Sequence, residues 1–178
     1  MNGLLPDDVW IAAAFEMREE FHPRYSAIAR SYSYFVGTDD LSASPFRRTH
    51  ELVWHRPADL GRMSVAARAV EGEHCFRAFA VKGTAPDTDE HRCKVSRAAW
   101  TERQGGLRFD ITADRFLHRM VRFLVGTMLE IGEGKREPGV MTQLLREINN
   151  DNASQPAPPH ALFLERVDYP AHLYLETA

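Results

Sequence analysis

The stretch "CKVSRAAWTERQGGLRFDITAD", residues 93–114, constrains the fold more than any other part of this chain. Gln104-Gly105-Gly106 separates two runs rich in apolar and aromatic residues, which is the pattern of a β-hairpin. In the second run, apolar residues at odd positions 107–113 alternate with polar residues at even positions 108–114. Such alternation leaves one face of an antiparallel sheet buried and the other face in water.

Further elements follow from apolar spacing and from the residues that end each run. The sequence predicts strands at 9–17, 28–36 and 162–170, and helices at 57–72, 116–134 and 138–149. Long polar loops are expected at 37–49 and 81–92. Strands and helices alternate along the chain, but the hairpin is antiparallel. We therefore predict an α+β fold, an antiparallel sheet with helices packed on one face.

The chain has 178 residues, 44% of them hydrophobic and 26% charged, which favours one ordinary globular domain. Cys75 and Cys93 show no paired spacing, so we interpret them as reduced thiols of a cytoplasmic protein. No run of 18 apolar residues is present, so no membrane span is expected. The N-terminus also lacks the basic and apolar pattern of a secretory signal.

Charge is unevenly distributed. Residues 91–122 contain eight Lys or Arg and three acids, a net charge of +5, whereas the whole chain carries −3. A local basic zone of this kind can bind a polyanion through counterion release. A solvated, salt-bridged surface explains the same pattern equally well.

No motif for a metal or a nucleotide cofactor occurs, because HExxH, the zinc deaminase pattern, GxGxxG, the Walker A motif and GxSxG are all missing from the sequence. The helix predicted from residue 116 is more informative. There His118, Arg119 and Arg122 can project near one another and hold a phosphate or a carboxylate. Alternatively, Arg122 only pairs with Asp110 or Asp114, and the residues alone slightly favour that second interpretation.

Four motifs then occur in a recognisable order: "FHPRYSAIARSYSYFV", "HCFRAFA", "RFLHRMVRFLVGTMLEIGEG" and "ALFLERVDYP". Together they resemble the TruA family of tRNA pseudouridine synthases, from residue 2 to about residue 170. Two positions differ from the family pattern: His74 stands where Asp is common, and Ala161 stands where Gly is usual. Neither change alters the resemblance.

The resemblance implies a pseudouridine-synthase-like fold and an isomerase. The enzyme would convert uridine to pseudouridine at positions 38, 39 and 40 in the anticodon arm of tRNA, without cofactor or metal. It would act in the cytoplasm as a homodimer, with tRNA lying across basic clefts of both subunits. The target base has to leave its stack to reach the site.

Site residues are carried over by motif position. Tyr32 matches the active-site tyrosine that packs on the target base and helps to move the proton at carbon 5. Arg122 matches the arginine that holds the nucleophilic aspartate by a salt bridge. Arg24 and Arg30 match basic positions near the cleft, and period-two alternation places Arg30, Tyr32 and Tyr34 on one face of a strand. The weaker candidates for RNA contact, chosen by charge and position, are Arg77, Lys82, His118 and Arg119.

One family motif is missing. The nucleophile lies in a G-R-T-D-[AS]-G-V-H pattern, and no aspartate of this chain follows Arg-Thr. "NGLLPDDVWI" resembles the segment downstream of that motif, so residues 1–178 are interpreted as a single C-terminal catalytic-cleft and RNA-binding domain without the N-terminal domain. Three explanations fit: a truncated reading of a full enzyme, which we favour; one half of a split protein; or a non-catalytic RNA-binding module that retains the cleft.

Overall fold

The computed structural model describes residues 2–84 and 90–175. Its main elements are one sheet and three α-helices. The strands are β1 (Ala29–Gly37), β2 (Leu52–Val53), β3 (Gly72–Cys75), β4 (Arg92–Arg103), β5 (Gly106–Ala113) and β6 (Leu162–Asp168). The helices are α1 (Leu60–Arg68), α2 (Met120–Gly132) and α3 (Val140–Leu144).

The sheet has six strands in the order β2-β1-β5-β4-β3, and β6 pairs with β1. All pairs are antiparallel except β1 with β2, which run parallel at Val36 and Gly37. The sheet is therefore mixed rather than purely antiparallel. Helix α1 packs against α2 and β4, so the predicted α+β fold with helices on one face is confirmed.

The hairpin of β4 and β5 supplies the centre of the core, as its alternation predicted. Leu107, Phe109 and Ile111 are buried among residues of α2 and β1. At the turn, Gly106 pairs with Gly37, and a Cβ added at Gly106 would lie 2.0 Å from the Val36 carbonyl oxygen. The two strands can approach this closely only because residue 106 has no side chain.

The opposite face of the sheet carries polar side chains that bond across the strands. The hydroxyls of Ser31 and Thr112 lie 2.8 Å apart, and the Ser33 hydroxyl donates to Asp110 Oδ1 at 2.5 Å. Arg108 in turn donates to both Ser33 and Asp110, at 2.9 and 2.7 Å. The arginine and the aspartate of β5 therefore belong to a network on this face.

The strand predicted at 9–17 does not form, and that prediction was wrong. The segment makes one isolated bridge, between Met17 and Tyr174, and no described strand pairs with the rest of it. Trp10 and Phe15 are consequently 75% and 68% exposed. A short apolar run alone cannot make a strand, because a strand also needs a neighbouring backbone to bond with.

The helices are shorter than their apolar patterns predicted. Helix α1 begins after Asp59, whose side chain accepts from the Arg62 N–H, and ends at Arg68 rather than continuing to residue 72. Helix α2 starts at Met120 rather than at residue 116, because Arg119 adopts a left-handed φ of 63°. In the 138–149 segment only Val140–Leu144 is α-helical.

Part of the long loop predicted at 81–92 lies outside the described residues, at 85–89. Among the helices described, none is long and apolar enough to cross a membrane.

Candidate active site

Strand β1 places two tyrosines side by side on the face that meets the helices, and they differ in what their hydroxyls do. Tyr32 is half-buried, and its ring contacts Phe116 edge to face with centroids 5.1 Å apart. Its hydroxyl makes no hydrogen bond to any described residue. Tyr34 is fully buried, and its hydroxyl donates to the Pro158 carbonyl at 2.9 Å. Of these two tyrosines of β1, Tyr32 is therefore the one whose hydroxyl a substrate could use.

Arg122 lies in the first turn of α2 and is held by a single residue of another segment. Its Nε–H donates to the Ala157 carbonyl at 2.6 Å, and its own carbonyl accepts from the Ala157 N–H at 2.9 Å. Its two terminal nitrogens make no hydrogen bond within the described chain. Those nitrogens can still take a carboxylate or a phosphate in the two-pronged geometry that suits a guanidinium.

The simpler interpretation, that Arg122 pairs with Asp110 or Asp114, was wrong. Asp110 is bonded to Arg108 and Ser33 on the polar face of the sheet. Asp114 Oδ1 accepts from the backbone N–H groups of Lys94 and Arg115. Neither carboxylate is within 4 Å of the Arg122 guanidinium, because the sheet face that carries Asp110 points away from α2.

The charges around Arg122 are positive. Partial burial lowers the pKa of Arg122, the neighbouring Arg119 charge lowers it further, and Tyr34 opposes the shift. Arginine stays protonated under such shifts because its pKa starts so high. Arg119 itself makes no ion pair with a described residue. Two neighbouring cations without an ion-pair partner in the described part of the chain raise the local positive potential, which favours an anion at this place.

His118 and Arg119 precede the helix, so the four-residue helical spacing used to group His118 with Arg122 does not apply. Arg119, the residue immediately before α2, has a left-handed backbone conformation. The His118 carbonyl accepts from the Val81 N–H at 3.3 Å. Arg119 lines a cavity of about 380 Å³ together with Phe123, Asn150 and Pro156.

Residues 22–26 form a compact turn at the other side of the site. The His22 ring Nδ1 accepts from the backbone N–H groups of Arg24 and Tyr25, and Ser26 closes the turn onto His22. The Arg24 guanidinium lies over the Tyr25 ring, 5.8 Å from its centroid, and Tyr25 is 77% exposed. The turn therefore presents a cation and an aromatic ring to solvent.

Arg30 connects this turn to the end of β5. It donates to the carbonyls of Arg24 at 2.7 Å, Asp114 at 2.7 Å and Ala27 at 3.1 Å. Asp114 stands two residues before Phe116, the residue that packs on Tyr32. The structure thus brings Arg24, Arg30 and Tyr32 into one connected region.

Two of the weaker candidates lie in other surroundings. Lys82 forms an exposed ion pair with Asp151 at 2.8 Å, so part of its charge is already compensated. The Nε of Arg77 is buried and finds no hydrogen-bond partner in the described residues. Arg77 lies in a short 3-10 helix, Arg77–Phe79, that contacts α2.

Sequence reasoning missed several residues that build the site. Phe116 contacts Tyr32, Tyr25 is exposed beside Arg24, and Ala157 holds Arg122. Gly126 was quoted within a motif but given no role, and it is close enough to residue 155 that an added Cβ would lie 2.2 Å from the Gln155 carbonyl oxygen. The available signal was the "MVRFLVG" motif itself, in which Arg122 and Gly126 lie four residues apart and so share a helix face.

Within the described residues no three His, Cys, Asp or Glu side chains lie close enough together to hold a metal ion. The side chains gathered around Tyr32 and Arg122 are aromatic rings, an aromatic hydroxyl and several guanidinium groups. Rings and cations of this kind stack on nucleobases and contact phosphates.

Comparison with known proteins identifies the family. The family model described as tRNA pseudouridine synthase matches residues 66–170. The tRNA pseudouridine synthase A of Bacteroides fragilis is 35% identical over 175 residues, covering 98% of this chain and 68% of its own length. The enzymes of the same name from Bacteroides thetaiotaomicron and Bacillus velezensis are each 35% identical, and the chain covers 65% and 67% of them.

The chain thus spans about two thirds of the length of these relatives, and nearly all of it is matched. The order of the motifs, the six-stranded sheet with helices on one side and these matches agree. This chain belongs to the TruA family of tRNA pseudouridine synthases.

Proposed function

We propose that this chain forms the tyrosine and arginine side of the catalytic cleft of an enzyme that converts uridine to pseudouridine in the anticodon arm of tRNA, at positions 38, 39 and 40. One observation carries the proposal. The Arg122 guanidinium is fixed through Nε, while its terminal nitrogens have no acidic partner in the described part of the chain. An arginine so placed can receive an anion from outside these residues.

In the proposed reaction, the bond between the uracil N1 and the ribose breaks, and the base rejoins the ribose through carbon 5. Carbon 5 then loses its proton, and N1 gains one. The nucleophilic aspartate, which this sequence lacks, would bond transiently to the ribose C1′ as the C1′–N1 bond breaks, and it would leave again as C1′ bonds to carbon 5. Arg122 would hold that carboxylate by a salt bridge, which keeps it ionised and aimed.

Tyr32 would pack on the flipped uracil and assist the proton transfer at carbon 5. Its ring packs edge to face against Phe116, and its hydroxyl has no hydrogen-bond partner among residues 2–84 and 90–175. Both features suit a group that has to stack and also exchange a proton within hydrogen-bond reach.

Arg24, Arg30, Arg77, His118 and Arg119 would contact the tRNA. Arg24 has the best support, because it is exposed on the 22–26 turn beside Tyr25. Arg30 is the least available of the five for an RNA contact, since three of its N–H groups already donate to backbone carbonyls. We further propose a cytoplasmic homodimer, with tRNA lying across both subunits.

A second candidate function, a non-catalytic RNA-binding module that retains the cleft, fits the missing R-T-D motif as well. The coding DNA upstream of Met1 separates the explanations at little cost. An in-frame sequence with the R-T-D motif supports a truncated enzyme. A genuine stop codon and ribosome site immediately upstream would contradict truncation.

Tritium release from tRNA labelled at carbon 5 of uridine tests the activity. We expect no release with this chain alone and release with the chain extended through the aspartate motif. The extended Arg122→Ala variant should lose turnover far more than tRNA affinity. Equal losses of turnover and affinity would indicate that Arg122 contacts phosphate instead.

The Tyr32→Phe variant of the extended chain tests the proton role separately from stacking. Phenylalanine retains the ring, so tRNA binding should stay within about twofold while turnover falls by roughly 10²-fold or more, the usual contribution of a positioned acid or base. Full turnover in this variant would reduce Tyr32 to a stacking platform.

A further inference from the structure

One side of α2 is followed along its length by a second segment of the chain. Arg122, Gly126 and Glu130 are spaced four residues apart and therefore lie on one face of the helix. Residues 154–158 pass along this face in the opposite direction, so that each of the three helix positions meets a different part of the segment. We call residues 154–158 the arm.

Contacts between the arm and α2 occur at three successive turns. At the first turn Arg122 and Ala157 exchange two hydrogen bonds, of 2.6 and 2.9 Å. At the second turn the Gln155 carbonyl lies against Gly126, only 2.2 Å from where a Cβ would be. At the third turn the Ser154 hydroxyl donates to Glu130 Oε2 at 2.6 Å. The arm is thus fixed to the helix along its whole length.

The arm is also stiff because of its sequence, "SQPAP". Each proline fixes its own φ and restricts the residue before it to extended conformations, so Gln155 and Ala157 lose freedom in both the folded and unfolded states. Between the two prolines, Ala157 carries the only backbone N–H, and that group donates to Arg122. Because the arm has few accessible conformations even in the unfolded chain, ordering it against Arg122 costs little conformational entropy.

Tyr34 supports the end of the arm. Its hydroxyl donates to the Pro158 carbonyl, one residue beyond the carbonyl that binds Arg122. Burial raises the pKa of the Tyr34 hydroxyl, with the Arg122 charge acting in the opposite direction. The hydroxyl therefore stays protonated and remains a donor.

We propose that the arm, supported by Tyr34 and by the absence of a side chain at Gly126, positions the Arg122 guanidinium for its anion. This inference rests on the role proposed above for Arg122. By engaging Nε, the Ala157 carbonyl fixes the plane of the guanidinium and leaves both terminal nitrogens pointing away for a two-pronged bond to a carboxylate. Tyr34 and Gly126 are positioning residues, since neither has to touch the substrate.

The first measurement needs no activity. In nitrogen-15 NMR spectra of this chain, the Nε–H signal of Arg122 is identified by its absence from the Arg122→Lys variant. We expect its exchange with water to become about tenfold faster in Tyr34→Phe, the factor expected for the loss of one hydrogen bond that supports the arm. Gly126→Ala should accelerate the exchange as well, because the added methyl group displaces Gln155.

Tyr169→Phe is a matched control. The Tyr169 hydroxyl also donates to a proline carbonyl, that of Pro23, at 2.8 Å, but it does so away from the arm. Its loss should leave the Arg122 exchange rate unchanged. Unchanged exchange in both Tyr34→Phe and Gly126→Ala, with a dispersed amide spectrum showing that the chain is folded, would overturn the inference.

Turnover of the extended chain gives the second measurement. Tyr34→Phe should lower kcat by about tenfold and leave KM for tRNA within about twofold, because a misaimed Arg122 weakens the transition state more than substrate binding. In the Arg122→Lys background, Tyr34→Phe should lower kcat no further. If Tyr34→Phe lowered kcat as much in that background as in the wild type, the positioning role would be contradicted. Should the NMR results hold while the extended wild-type chain forms no pseudouridine, the proposed function fails and the positioning of Arg122 stands.

Discussion

At the scale of single residues, the two tyrosines of β1 show how neighbours with one chemistry acquire different tasks. Tyr32 and Tyr34 project from the same face of the strand because they are two residues apart. Tyr34 extends into the core and its hydroxyl donates to the Pro158 carbonyl, whereas Tyr32 packs against Phe116 and its hydroxyl bonds to no described residue. The sequence "SYSYF" contains both tyrosines, but nothing in it indicates which of the two is buried and hydrogen-bonded.

Glu51 is the clearest case of a residue whose charge supports the fold. It is only 3% exposed and lies between Arg47, 2.6 Å away, and Arg103, with which it also forms an ion pair. Arg47 in turn pairs with Asp39 at 2.9 Å. We expect Glu51→Gln to lower the free energy of unfolding by about 3 kcal/mol, because two arginines would lose their shared buried carboxylate.

Urea denaturation measures this change, and Glu102→Gln is its control. Glu102 is exposed and lies next to Arg103, so removing its charge should alter the free energy of unfolding by less than about 0.5 kcal/mol. Equal effects of the two substitutions would mean that Glu51 contributes only to the general surface charge.

At the scale of elements, the register of the sheet depends on one glycine at the hairpin turn. Gly106 lies directly opposite Gly37, and a Cβ at position 106 would meet the Val36 carbonyl oxygen at 2.0 Å. The added Cβ would meet a backbone atom, so the contact can be relieved only by moving β1 relative to β5. We expect Gly106→Ala to destabilise the protein by about 2 kcal/mol, the usual cost of overpacking.

Gly139→Ala provides the comparison for this prediction, measured by the shift in thermal unfolding midpoint. Gly139 has open space around its Cα and a negative φ of −61°, so alanine fits there without strain. We expect a neutral or slightly stabilising effect, because alanine restricts the unfolded chain. A Gly106→Ala protein as stable as Gly139→Ala would show that the sheet adapts its register at little cost.

At the scale of the whole molecule, the segment 9–17 is apolar and yet lies outside the core. Trp10 and Phe15 are largely exposed, and apart from the bridge at Met17 no described strand pairs with this segment. Surfaces of this kind associate with one another. We expect the isolated chain to self-associate in sedimentation equilibrium, with an average mass that continues to rise with concentration rather than stopping at twice the monomer.

The double variant Trp10→Ser and Phe15→Ser should reduce this association, whereas Phe46→Ser should not. Phe46 is an exposed aromatic residue of a different loop, so it controls for the simple loss of apolar surface. A discrete dimer that is unaffected by the double substitution would contradict association through this segment and would instead support the proposed homodimer.

The sequence by itself determined the β4–β5 hairpin, the α+β class and the family, and it singled out Tyr32 and Arg122 as candidate site residues, because period-two alternation, turn glycines and long motifs are local signals. Tertiary structure decided the rest. The strand expected at 9–17 found no partner, and α2 started at Met120 because Arg119 turned left-handed. Ala157 became the residue that holds Arg122 although 35 positions separate them. Pairing, helix ends and the aim of a side chain depend on which distant backbone groups come near, and no local pattern carries that information.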